Sequence, residues 1–160
     1  MNNKEFFAER FEMEQAAFKK VLAALPGEKL DYSPHERSTA AGNLAWQLAE
    51  EQKGMSELLE RGETAYEART RPATREEIEG AWDKATTDVR ARLASCDEKQ
   101  WGEQVKFIVG GEVVWSDTLQ NMMWGFLFDM VHHRGQLSTY LRPMGGKVPA
   151  IYGPSGDDRG

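Results

Sequence analysis

Cysteine is almost missing from this chain, with Cys96 the single example among 160 residues. A lone thiol cannot form an intrachain disulfide, which fits a reducing cytoplasm. Cys96 also falls at the end of a helical pattern, where the helix dipole raises thiol pKa, so it is a poor nucleophile. An excess of positive charge is missing as well: 20 Lys and Arg face 26 Asp and Glu, giving net −6 and a pI of about 5.2. Such a surface repels phosphate backbones and anionic lipid, so neither a nucleic acid nor a membrane is the expected partner. No apolar run approaches the roughly 20 residues that span a bilayer. The opening Met1-Asn2-Asn3-Lys4-Glu5-Phe6-Phe7 lacks the apolar core of a signal peptide. There is no P-loop, no dinucleotide fingerprint and no supported Ser/His/Asp arrangement. These absences leave a soluble cytoplasmic domain, a single unit over residues 1–160 that is long enough to bury a core.

What is present is helical periodicity. Phe7, Phe11, Phe18, Leu22 and Leu25 recur at helical spacing from about Lys4 to Leu25, and Pro26-Gly27 ends the run. A polar loop leads to a second helix opened by Ser38 or Thr39 as N-cap, with Leu44, Leu48, Met55, Leu58 and Leu59 on its apolar face. The third begins at Thr74-Arg75-Glu76-Glu77, which reads as a capping box, and continues to about Cys96. The fourth opens near Ser116-Asp117 and carries apolar residues at three- and four-residue steps to Leu141, before Pro143 and Gly145-Gly146. Ahead of it, Val105 to Val109 and Glu112 to Trp115 flank Gly110-Gly111, the pattern of a short β-hairpin. The Gly- and Pro-rich tail from Lys147 to Gly160 still contains Val148, Ile151 and Tyr152, so it is expected to be ordered against the body, near the mouth of the polar site. The expected fold is all-α, an antiparallel four-helix bundle with a hairpin before the last helix.

The stretch Phe128-Asp129-Met130-Val131-His132-His133-Arg134 carries the most chemistry. Asp129 and His133 are one helical turn apart on one face, and carboxylate plus imidazole is a ligand pair for zinc or nickel. The same pair would serve equally as a polar contact inside a core or facing a partner chain. Further ligands in a bundle come from facing helices. The second helix offers Gln47 and Glu51, again one turn apart; Glu51 is the better donor by chemistry, while the run Glu50-Glu51-Gln52-Lys53 reads as a solvated face. His132 points about 100° away around the helix and reads as surface or interface. His35 reads as solvated. Arg134 is either a surface ion pair or a binder of anionic substrate groups. The five tryptophans, Trp46, Trp82, Trp101, Trp115 and Trp124, read as core or dimer-interface anchors.

The segment His132-His133-Arg134-Gly135-Gln136-Leu137-Ser138-Thr139-Tyr140-Leu141-Arg142, followed by Gly145 to Ser155, resembles the C-terminal signature of the DinB-like superfamily, the DNA-damage-inducible and YfiT-related four-helix proteins. The order from Leu25-Pro26 through Asp31-Tyr32-Ser33-Pro34 to Ser38 fits as well. The resemblance implies a bundle, often homodimeric, with a divalent-metal site of three side chains, usually histidines: one on the second helix and two one turn apart on the fourth. By position it assigns metal-ligand places to Gln47, Asp129 and His133, with Gln47 and Asp129 standing where histidines are usual. Asp for His preserves metal competence, and Gln for His weakens it.

The resemblance further implies Lewis-acid chemistry, as in relatives that are S-transferases using bacillithiol or isomerases using mycothiol. A metal with open positions lowers the pKa of a bound thiol or water. The expected function is therefore a divalent-metal-dependent transfer of a low-molecular-weight thiol to a small-molecule substrate, or hydrolysis. The other reading is a non-catalytic stress-related or small-ligand-binding bundle whose metal site has eroded, and Gln47 is the feature favouring it. The superfamily name carries no implication of DNA binding.

Overall fold

The computed structural model describes residues 1–160. It is mostly helical: α1 (Asn3–Ala23), α2 (Ala41–Arg61), α3 (Arg75–Ser95), the single turn α4 (Glu98–Trp101) and α5 (Leu119–Leu141), with strands β1 (Glu63–Tyr66), β2 (Gln104–Val109) and β3 (Glu112–Thr118). The four long helices each touch two others: α1 packs on α3 and α5, and so does α2. No helix is long and apolar enough to cross a membrane.

Local chemistry explains the boundaries. α1 starts on a capping box, Asn2 with Glu5, and α3 on Thr74 with Glu77, each satisfying N–H groups that have no intrahelical acceptor. Gly62 closes α2 in the left-handed conformation, φ 73°. The start of α2 differs from the expected Ser or Thr cap. Its N-cap is Ala40, which has no side-chain acceptor, and the amides of Ala41 and Gly42 donate instead to the carbonyls of Tyr32 (2.9 Å) and Leu30 (2.7 Å). The preceding loop folds back and does the capping. α5 likewise begins later than Ser116-Asp117, because β3 extends to Thr118, which then caps the helix.

β2 and β3 pair antiparallel across Gly110 and Gly111, both at positive φ (59° and 86°), as a tight two-residue turn requires. β1 pairs parallel with β2, giving the order β1-β2-β3. Neither β1 nor α4 was anticipated. β1 is four residues long, and its pairing partner lies about 40 positions away, so no local pattern announces it. The inward face of the sheet carries Thr64, Phe107 and Trp115, in register with one another.

One apolar cluster fills the space between the helices, including Phe7, Phe11, Phe18, Trp82 and Trp101. Phe18 and Trp82 lie 4.9 Å apart between ring centroids, and Phe7 and Trp101 5.2 Å. Their tilted geometries suit the ring quadrupoles. A small polar chain crosses this core: Gln52 donates to Thr86, which donates to Gln15, tying α2, α3 and α1 together.

The tail is packed down. Ala150 is buried, Lys20 donates to its carbonyl, and Asp157 accepts from the amide of Val148 and pairs with Arg142. Its anchor is Arg134, which is neither on the surface nor open to a substrate. The residue is 2 % exposed, and its guanidinium stacks 4.7 Å over the Phe18 ring, pairs with Glu14 and donates to the Tyr152 hydroxyl. The tail therefore docks where α1 meets α5. It lines no part of the cavity described below, in contrast to the expected position at the mouth of the polar site.

Candidate metal centre

The helical repeat brings Asp129 and His133 to one face of α5, and α2 lies against that face. From α2 come Gln47 and Glu51, themselves one turn apart. Ligand atoms of Glu51, Asp129 and His133 all lie within 4.8 Å of one another. His133 Nε2 is 3.4 Å from Asp129 Oδ2 and 3.7 Å from Glu51 Oε1. His133 and Glu51 are largely covered, at 17 % and 14 % exposure, while Asp129 at 58 % faces the opening.

The hydrogen bonds orient the imidazole. Gln136, three residues on, sets its carbonyl oxygen 2.8 Å from His133 Nδ1. The Gln47 amide nitrogen lies 2.8 Å from His133 Nε2 and also donates to Glu51 Oε1 at 2.8 Å. With Gln47 donating and Gln136 accepting, His133 carries its proton on Nδ1 and its Nε2 lone pair receives the Gln47 amide, on the side where the two carboxylates lie. A metal-binding histidine held through its other nitrogen has this arrangement.

Glu51 is the electrostatically unusual group. Burial pushes its pKa up to about 8; the Gln47 amide opposes the shift, and the neighbouring Asp129 adds to it. Its second oxygen, Oε2, is buried without any hydrogen-bond partner. An orphaned carboxylate oxygen beside a second carboxylate and an inward lone pair is a donor set that fits a divalent cation. Two oxygens and one imidazole nitrogen suit zinc, and equally harder ions such as manganese.

Of the residues read from the sequence, Asp129, His133 and Gln47 do come together between α2 and α5. Glu51 joins them. Its chemistry was visible, but the charged run around it reads as solvent-facing, and only the packing of α2 on α5 turns Glu51 inward. Cys96 is buried elsewhere, and burial pushes its thiol up, away from nucleophilic use. His35 and His132 are exposed and outside the cluster.

The cluster opens onto a cavity of about 1240 Å³ between α2, α5 and the sheet. Trp46, Phe107, Trp115 and Phe126 supply apolar wall, and Arg69 and Arg71 stand on the strand-to-helix segment that covers it. Both cations are engaged: Arg69 pairs with Glu67 and Glu50, and Arg71 with Asp31.

Fold and site together define a mostly helical protein with a carboxylate–imidazole cluster at the side of a large cavity. The chain belongs to the DinB family, whose sequence profile matches residues 1–159. In three dimensions it is similar to a DinB-like protein from Bacillus cereus, at 18% identity and TM-score 0.77 over 92% of this chain and 97% of that one. It is also similar to the DinB-like protein YjoA from Bacillus subtilis, at 16% identity and TM-score 0.69 over 88% and 92%. At these identities the likeness concerns the fold. No curated protein matches the chain at a significant level.

Proposed function

We propose that this protein is a divalent-metal-dependent enzyme acting on a small molecule in the α2–α5 cavity, with thiol transfer as its reaction and hydrolysis as the variant in which water attacks. The observation that carries the reading is the convergence of Glu51, Asp129 and His133 around the unpartnered Glu51 Oε2. Glu51, Asp129 and His133 would hold the ion, and Gln47 is the fourth candidate, through its amide oxygen after rotation of the amide. A bound divalent ion supplies Lewis acidity, bringing a thiol or water toward neutral pKa. The chain's own groups do the rest. Gln136 keeps the His133 lone pair inward, Glu51 releases its proton when a cation arrives, and the aromatic walls exclude water around the reacting partners. No Cys, Ser or Lys lines the cavity, and in this reading the attacking group is a low-molecular-weight thiol or water.

The reading extends to an antiparallel four-helix bundle as a single domain, working in the cytoplasm as a homodimer. Exposed Phe6 and Phe128 flank Trp124 on one outer face, a surface suited to a second copy. A non-catalytic role is favoured by one contact: the Gln47 amide nitrogen already occupies the His133 lone pair and also holds Glu51 Oε1, linking the three side chains without an ion. Metal analysis of the freshly purified protein, followed by zinc and manganese titration of the chelator-treated protein, separates the two. Stoichiometric binding near one ion per chain supports the enzyme. No saturable binding of either ion leaves only the polar network.

A further inference from the structure

The cavity does not end at the metal cluster. On α2, Gly54 lies three residues beyond Glu51, and on α5, Phe126 and Gly125 lie three and four residues before Asp129. All three line the same cavity. Three residues of helix advance about 4.5 Å, so on both walls the chemistry changes from carboxylate to apolar within a single turn.

The apolar end is built from rings. Phe107 and Phe126 meet edge to face, with centroids 5.6 Å apart and planes at 89°. Trp115 and Phe126 lie nearly parallel, 6.4 Å apart at 13°. Small residues keep these rings close to the helices. A Cβ on Gly125 would fall 2.3 Å from the Trp115 ring, and one on Gly54 would fall 3.0 Å from Phe126. The sheet contributes Phe107 and Trp115 from directly paired positions, so the hairpin acts as a roof lined with aromatic faces. Phe107 and Trp115 remain half-buried, with part of their surface open to the cavity.

Charge narrows the occupant. The cavity is lined by the carboxylates of Asp31, Glu50, Glu51, Glu67 and Asp129, and its two cations are already paired, Arg69 with Glu50 and Glu67 and Arg71 with Asp31. No free cation serves an anionic ligand there. We propose that the Phe107–Trp115–Phe126 end is a specificity subsite for an uncharged planar aromatic substrate, seated with its reactive substituent one helical turn away at the Glu51–Asp129–His133 cluster. Ring-on-ring contacts select planarity, and a change from apolar to carboxylate wall within about one helical turn favours a short substituent, as on a benzyl group. This assignment rests on the enzyme reading for its meaning as a substrate site, while the binding itself does not need the metal.

The test uses calorimetric titration of the full chain, in chelator, with 4-nitrobenzyl alcohol as an inert uncharged probe. One-to-one binding with a dissociation constant below about 1 mM is expected. Phe107→Ala and Trp115→Ala are each expected to weaken it at least about fivefold, with zinc affinity measured separately on the same variants and unchanged within about threefold. The wild type alone provides a second discriminator: 4-nitrobenzoate, of the same size but anionic, and the non-planar cyclohexylmethanol should each bind at least about fivefold more weakly. Absence of saturable probe binding to the wild type, equal binding of all three probes, or unchanged binding in both ring variants overturns the subsite. Zinc binding without probe binding rejects this inference and leaves the enzyme reading standing. Probe binding without zinc binding does the reverse.

Discussion

Glu51 makes the metal-free protein sensitive to pH in a direction that can be worked out from the site. Its carboxyl has a pKa of about 8 in the fold against 4.5 as the ordinary value, because burial penalises the anion. Between those values the folded state holds a proton that the unfolded chain has lost. Stability from this group is therefore complete below about pH 4.5 and declines as pH rises toward 8. Each pH unit in that window costs about 1.4 kcal/mol, and the full shift corresponds to about 5 kcal/mol as an upper figure. Glu51→Gln carries no titratable proton and keeps a polar group of the same shape, so its stability lacks this slope. Urea unfolding in chelator, compared at pH 5.5 and 7.5, should show the variant gaining about 2–3 kcal/mol on the wild type over those two units. Curves that run parallel across the window would refute the buried, protonated Glu51. Excess zinc should reverse the order at pH 7.5, since the ion stabilises only the form that can lose the proton and bind it.

Further outcomes are expected of the same molecule. His133→Ala should lower zinc affinity by at least about 100-fold, since the remaining oxygen donors hold zinc poorly, whereas Gln47→His should raise it; competition with a chromophoric chelator measures both. Arg134→Ala leaves Glu14 in a covered site without its cation, with only the Tyr152 hydroxyl donating to it, and should cost about 3–5 kcal/mol in urea unfolding. Tyr152→Phe removes only a hydroxyl and should cost about 1 kcal/mol, while speeding amide exchange at Val148 and Ala150. Light scattering at micromolar concentration should give twice the 18.1 kDa chain mass, and the monomer mass would reject the dimer.

The helices and the Asp129–His133 pair were legible because both depend on a local period. Apolar residues at three- and four-residue steps define the buried side of a helix, and the same period puts residues 129 and 133 on one face. Thr74 and Glu77 announced the start of α3 for the same reason, since a capping box is contained in four residues. Net charge and the lone cysteine are also properties of the chain alone. The start of α2 was not legible, because its first amides are satisfied by loop carbonyls of Leu30 and Tyr32 that no spacing rule connects to it.

Tertiary packing decided the rest. Glu51 sits in a charged run that looks solvated, and it is the approach of α5 that strips its water, raises its pKa and sets it beside Asp129. Arg134 follows His133 in sequence but points into the α1 side, where Glu14, Phe18 and Tyr152 receive it. β1 exists only because β2 lies alongside it in space. Periodicity along one helix determines which side chains share a face; which groups meet across that face, and how much water is left between them, depends on distances set by other parts of the chain.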